Sequence, residues 1–439
     1  MITRRRFITT GSLGIAAGTL AGAVAGSDSK KAPSLEAWEG VRAQFDLDPS
    51  LVHLGLFFMA SHPRPVREAI EAYRRKIDAN PLITIEHAMF GPEEDNLQTA
   101  ACNAVARYIG GSAGDIALTQ NTTTGLALLY QGLRLNAGDE VLTTTHDHYV
   151  HHEAIRLAVE RAGASWRRIP LFDSYDAVSA DQIADRIRTG IGPKTRVVGV
   201  TWVHSSSGVK LPLRRIAEAV AEANASRDAA GRVLLFVDGV HGLGVEDPGV
   251  VAAGIDAFAA GTHKWMFGPR GTGFVWAKPE VWAGLRPTIP TFHGFGPIEA
   301  WFEGVAPSPP ARAAWFSPGG FQAYEHYWAL PSAFEFHRRV GSARITNRIH
   351  ELNTQFKEGL ATMPHVVLYT PRSRELSAGI VCFDVKGMPQ SQVVQRLLER
   401  HRIVASTTPY RDSYARVAFG IQNTPREVEK TLAAVRTLA

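Results

Sequence analysis

Cysteine is scarce. Cys102 and Cys382 are the only two in 439 residues, too few and too far apart for a disulfide framework or a thiolate zinc site. Long apolar runs are missing as well: the mildly apolar stretch over residues 11–22 falls short of the roughly 20 residues that a membrane span needs. Neither sign of charge dominates, with 47 Lys and Arg against 42 Asp and Glu. Without Arg4, Arg5 and Arg6 the balance is 44 against 42, or +2. That surplus is scattered, which gives nucleic acid or an acidic membrane surface little to hold. Internal repeats and low-complexity tracts are also lacking. What remains is an ordinary globular composition, 45% apolar and 20% charged, long enough for a large core and two domains. Small molecules are the expected ligands.

The first 25 residues read as an address. Thr3-Arg4-Arg5-Arg6-Phe7-Ile8 precedes the Gly/Ala-rich stretch, and Ala23-Val24-Ala25 supplies small residues after it, the order of a signal peptide. The arginines resemble a twin-arginine signal, whose export route carries folded proteins. The expected partner is therefore the twin-arginine export machinery, with cleavage near Ala25, a periplasmic mature protein and no stable membrane anchor.

From about residue 115, short apolar runs alternate with amphipathic stretches of helical length: strands at 115–119, 141–145, 196–203 and 233–237, and helices at 125–135, 152–162 and 213–225. This is a βαβ pattern, and its unbroken apolar strands indicate a mainly parallel sheet covered on both faces. Residues 284–320, dense in Pro, Gly and aromatics, read as a long ordered loop. A long helical pattern follows over 324–363, then strands at 366–369 and 378–385, a helix at 390–401 and strands near Ile403 and Val417. Thr424-Pro425-Arg426-Glu427 opens the last helix with a capping box. The expected division is a signal at 1–25, an N-terminal segment at 26–90, a large α/β domain at 91–300, and at 301–439 a connecting region with a smaller α+β domain.

The strongest constellation is a strand ending in Asp238, followed 26 residues later by Lys264 in Gly261-Thr262-His263-Lys264-Trp265. Both fall at strand ends, which line the ligand crevice of an open parallel sheet. Pyridoxal 5′-phosphate chemistry needs this pair: a lysine to form an imine, and a carboxylate to keep the pyridine nitrogen protonated. Desolvation in a crevice also helps the lysine to deprotonate. Gln120-Asn121-Thr122-Thr123-Thr124-Gly125 lies between a strand and a helix, where free N–H groups favour a phosphate; a simple N-cap is the alternative. His146-Asp147-His148-Tyr149-Val150-His151-His152 invites a zinc reading, but no cysteine or carboxylate pair completes the set, so no metal is expected.

Asp238-Gly239-Val240-His241, Thr262-His263-Lys264-Trp265 and Gly268-Pro269-Arg270-Gly271-Thr272-Gly273 resemble the class V aminotransferase family of pyridoxal-phosphate enzymes of fold type I. The similarity covers roughly residues 50–435. Within the family the chain looks like the isopenicillin N epimerase branch, and an exported relative that tailors the siderophore pyoverdine has the same kind of signal. The resemblance implies that Lys264 carries the cofactor, Asp238 pairs with its ring nitrogen, and His241 hydrogen-bonds its phenolic oxygen. Thr122, Thr123 and His263 become phosphate ligands. His148, with Tyr149 as the alternative, matches the ring that stacks on the pyridine, and His151 and His152 become the solvated start of the next helix. Relatives often carry a hydroxyl where this chain has Gly261, and Thr262 is the substitute. Ser205 matches a polar contact to cofactor or substrate. Arg411 and Arg416 are the candidates for the substrate carboxylate, since a guanidinium grips carboxylate with two prongs.

The resulting expectation is a fold type I homodimer that transaminates or epimerises at the α-carbon of an amino acid or peptide-borne amino group. A pyridoxal-phosphate carbon–sulfur lyase is the alternative, and an exported binding protein or a periplasmic metalloprotein are the readings from other classes. A cysteine desulfurase is not expected, because residues 406–411, which occupy the loop of the mobile cysteine in those relatives, contain no thiol.

Overall fold

Runs such as Leu234–Asp238 and Ala257–Gly261 carry no polar alternation, so they need cover on both faces. In the computed structural model, which describes residues 34–293, 296–308 and 310–439, they form the middle of a seven-stranded sheet. The expected leader lies outside the described residues. In chain order the strands are β1 (Val52–His53), β2 (Ile116–Thr119), β3 (Glu140–Thr144), β4 (Ser165–Ile169), β5 (Thr195–Thr201), β6 (Leu234–Asp238), β7 (Ala257–Gly261) and β8 (Gly273–Ala277). Then come β9 (Val366–Leu368), β10 (Ile380–Val385), β11 (Ile403–Val404), β12 (Ser406–Thr407) and β13 (Ala415–Ala418).

The large sheet has the order β2-β8-β7-β6-β5-β3-β4. The pairs from β4 through β3, β5 and β6 to β7 are parallel, whereas β8 runs antiparallel to both β7 and β2. Crossover helices such as Thr122–Gly132, Tyr149–Ala162 and Leu213–Asn224 bring the chain back between parallel strands, as that geometry requires. Their contact with the sheet is tight: a Cβ on Gly125 would stand 2.9 Å from Val275 Cγ2. The expected α/β architecture is therefore present, with a smaller antiparallel sheet of order β12-β13-β10-β9. β1 pairs in parallel with β11, which draws residues near the start of the described chain to that later part.

Two expectations need correction. The helical pattern over 324–363 is divided into Tyr324–Val340 and Ser342–Ala361 by Gly341, at φ 96°, a conformation costly for residues with a Cβ. The loop read over 284–320 contains the helix Gly296–Phe302 and the 3-10 turn Ala313–Phe316. The capping box is present: Thr424 Oγ1 accepts from the Glu427 N–H at 3.2 Å, and the Glu427 carboxylate accepts from the Thr424 N–H at 2.8 Å. Among the described residues no helix is long and apolar enough to cross a membrane.

Candidate active site

The carboxyl ends of β3, β5, β6 and β7 and the start of the helix Thr122–Gly132 open onto a cavity of about 560 Å³, within the range of about 300–1,000 Å³ usual for small-molecule sites. Asp238, His241, His263 and Lys264 line it, as do Thr122, Thr123, His148 and Ser205. Of the two expected arginines, Arg416 lines the cavity, whereas Arg411 is exposed in the loop after β12 and does not.

Asp238 ends β6, and the chain then turns sharply against Phe258, where a Cβ on Gly239 would lie 1.8 Å from the ring. The carboxylate is buried and accepts from the Val240 N–H at 3.1 Å. Burial pushes Asp238 up to about 6, opposed by that N–H and by Lys264, while the Asp147 carboxylate adds to the rise. Burial also draws Lys264 down to about 8; Asp238 counters it, and Arg416 pushes further down. His241 Nδ1 accepts from the Trp265 indole N–H at 3.3 Å, so the ring, which burial holds neutral, carries its proton on Nε2. That nitrogen lies 3.3 Å from Lys264 Nζ. The site thus holds a lysine that is partly neutral near physiological pH, with an imidazole N–H facing it.

Asn121 caps the helix Thr122–Gly132 by accepting from the Thr124 N–H at 2.9 Å. Among the described residues nothing takes up the N–H groups of Thr122 and Thr123, which leaves the helix N-terminus open to an anion. Thr122 Oγ1 is already an acceptor, for the Gly261 N–H at 2.8 Å. His263 occupies the room that a hydroxyl side chain at position 261 would need, since a Cβ there would come within 2.8 Å of its ring. The expected substitution by Thr262 is not made: its hydroxyl is buried against Thr272 Oγ1 at 2.6 Å and does not line the cavity.

His148 caps the next helix, with Nδ1 accepting from the Val150 N–H at 3.3 Å. Its ring meets Tyr410 edge-on, with centroids 5.8 Å apart. Tyr149, the alternative, is exposed and does not line the cavity. His151 is not solvated. It is fully buried, with Nε2 2.8 Å from the Tyr130 hydroxyl, because the inner face of its helix packs on the sheet. His152 is half-buried, 2.8 Å from the Thr144 carbonyl. Asp147 lies beneath the site, its carboxylate accepting from the Thr201 and Thr144 N–H groups. Among the described residues no three His, Cys, Asp or Glu side chains are grouped to hold a metal.

Arg416, on β13, is buried and donates to the Ser205 carbonyl at 3.0 Å. Its guanidinium lies 4.0 Å from the Phe57 ring centroid, its Nε has no hydrogen-bond partner, and none of the ion pairs among the described residues includes it. Sequence reasoning did not single out Phe57, Met59, Thr201 or Tyr410. The first three carry no motif, and Tyr410 reaches Ser205 and His148 only through the fold.

The chain matches the family described as Aminotransferase class-V over residues 59–431. It is 28% identical over 414 residues to isopenicillin N epimerase of Streptomyces clavuligerus, covering 91% of this chain and 98% of that protein. Two solved structures of C-DES share the fold. One has glycine covalently linked to its PLP cofactor, with a TM-score of 0.78, 23% identity and coverage of 90% of this chain and 98% of that one. The other, described as a cystine C-S lyase with its product cysteine persulfide, has a TM-score of 0.77, 23% identity and coverage of 88% and 98%.

Proposed function

The chain belongs to the aminotransferase class-V family, and on that premise we propose that it uses pyridoxal 5′-phosphate to move a proton at the α-carbon of an amino acid or peptide-borne amino group, in transamination or epimerisation. The cavity suits the cofactor in three respects: two N–H groups at a helix start remain open for a phosphate, burial lowers Lys264 to about 8, and a buried carboxylate stands at Asp238. When bound, the cofactor supplies an aldehyde for an amine and a sink for electrons from the α-carbon.

The chain's own residues do the rest. Asp238 would hold a proton on the cofactor's ring nitrogen, and His241 offers its Nε2–H beside the Lys264 amine. Thr122 and Thr123 would hold the phosphate with their backbone N–H groups, and His148 would limit the tilt of the ring. With the cofactor bound, Lys264 Nζ would be placed to serve as the base that takes and returns the α-proton.

The observation that carries the reading is Arg416, a buried cation with no carboxylate partner among the described residues. An unpaired buried charge is costly, and a substrate carboxylate would complete it through two-pronged bonds. The epimerase relative supports the same chemistry. Carbon–sulfur bond cleavage by the same base is the second reading, and the C-S lyase neighbour favours it. We also infer a homodimer and export to the periplasm, the latter from Arg4 and Arg5 in the leader.

Incubation with amino acids in deuterated water tests the assignment. Epimerisation returns the amino acid deuterated at the α-carbon with mixed configuration. Transamination converts it to a keto acid and leaves the cofactor in its amine form, and elimination releases a keto acid without an acceptor. Absence of all three outcomes across a broad panel would exclude the α-carbon.

A further inference from the structure

Four consecutive residues connect the features around the cavity. The Phe57 ring supports the Arg416 guanidinium at 4.0 Å. Phe58 and Met59 line the cavity although they are 73% and 47% exposed, and large apolar groups left in water at a site mouth mark a surface awaiting an apolar partner. The Ala60 N–H donates to the His263 carbonyl at 2.9 Å, which ties this segment to the residue beside Lys264. Met59 also lines a second cavity of about 170 Å³, walled mainly by Phe45, Leu47, Leu56, Phe267 and Val404, with His53, Ser61 and Gln422 as its polar lining. A methionine is unbranched and adaptable, so the group shared by the two spaces is one that can move aside.

We propose that the substrate is an α-amino acid with a long, mainly apolar side chain, which passes over Phe58 and Met59 into the second cavity while Arg416 holds its carboxylate. This rests on the α-carbon reading above. Phe57, which supports the Arg416 anchor, and the lip residues Phe58 and Met59 belong to one short segment, so the places for the carboxylate and the side chain are set by neighbouring positions. A short side chain would leave the second cavity empty, and an acidic one would place charge against Phe45, Leu47, Leu56, Phe267 and Val404, which outnumber the polar His53, Ser61 and Gln422. Each methylene removed from water favours binding by about fourfold, and the dependence on length is therefore steep.

The test uses the cofactor-loaded protein and a series from alanine through norvaline and norleucine to 2-aminooctanoate. One measurement is kcat/KM for α-deuterium exchange. The other, independent of turnover, is the concentration at which the α-methyl analogues shift the visible absorbance band. Both should improve by about 50-fold from alanine to norleucine. Met59→Trp, at a half-exposed position that tolerates bulk, should reduce this ratio to below about fivefold in both measurements. A flat or falling series, or a Met59→Trp protein with the ratio intact, overturns the assignment of the second cavity and leaves the α-carbon reading standing. If no amino acid exchanges or shifts the band, the α-carbon reading itself fails, and this inference with it.

Discussion

The Tyr410 hydroxyl lies 2.7 Å from Ser205 Oγ, a bond that joins the turn between β12 and β13 to the segment after β5. The carbonyl of the same serine accepts from Arg416, so tyrosine and arginine are braced on one residue. Tyr410→Phe keeps the ring contact with His148 and removes the bond, a loss of about 1 kcal/mol. We expect KM for the amino substrate to rise about fivefold, with kcat changed less than twofold and the visible band retained. Steady-state kinetics decides: a kcat reduced a hundredfold at constant KM would place Tyr410 in the chemistry instead.

Lys264→Ala should abolish the visible band and reduce turnover by at least about 10⁴-fold, since among the described residues no other amine lines the cavity and the step depends on this nucleophile. Borohydride reduction followed by mass spectrometry should find the cofactor on Lys264 in the parent protein and nowhere in the variant. A labelled second lysine would contradict the assignment.

Capture of the cofactor by the apo protein needs a neutral amine. Burial sets Lys264 at about 8, so the capture rate should rise with pH and reach half its maximum near 8 rather than 10.5. Asp238 holds the lysine up, so Asp238→Asn should move the midpoint below 8 while weakening turnover severely. Stopped-flow absorbance measures both, and an upward shift would refute the coupling. The same groups shape apo stability. Asp238 in the folded chain titrates near 6 rather than 3.8, so stability falls as pH rises through that interval. Lys264 titrates below its unfolded value, so stability recovers as pH rises from about 8 to 10.5.

Neither thiol should react readily in the native protein. Cys382 is fully buried within β10, Cys102 is half-buried on the helix Leu97–Ile109, neither lines the cavity, and their surroundings push both thiols up to about 12. A thiol reagent should label Cys382 only after denaturation and the half-buried Cys102 slowly before it. Incubation with cysteine should leave no persulfide on either, as read by mass spectrometry of the intact chain, and its appearance would restore a desulfurase mechanism.

If Arg4 and Arg5 form the proposed twin-arginine address, replacing both by lysine should leave the precursor in the cytoplasm, coloured by its cofactor, because export by that route requires the guanidinium pair. Cell fractionation checks this. Arrival of the doubly substituted protein in the periplasm would mean that the signal has been misread.

The legible parts of the sequence were those governed by local rules. β6 and its terminal Asp238 stood out because an apolar run stops at a carboxylate, and the capping box at Thr424 because its spacing is fixed by helix geometry. What escaped depends on distant partners. His151 looks polar in sequence, yet its position on the helix turns it inward against Tyr130. Arg411 and Arg416 are chemically equivalent as text, and only the pairing of β13 with β10 and β12 directs the second into the cavity. β8 is a five-residue run opened by Gly273, and its antiparallel pairing with β2 joins residues more than 150 apart, which no local pattern reveals.

The short ladder of β1 with β11 also imposes a schedule. Val52 pairs with Ile403, 351 residues later, and Val52 and Leu54 are buried in the core that the later strands complete. At about 5–20 residues per second, a ribosome needs roughly 20–70 s to deliver the partner after the first strand is made. During that interval an apolar segment next to the site waits uncovered, a slow non-local closure that exposes it to chaperones and to other nascent chains. Shortening that wait by changing the translation rate should alter the yield of native protein without altering a single contact in it.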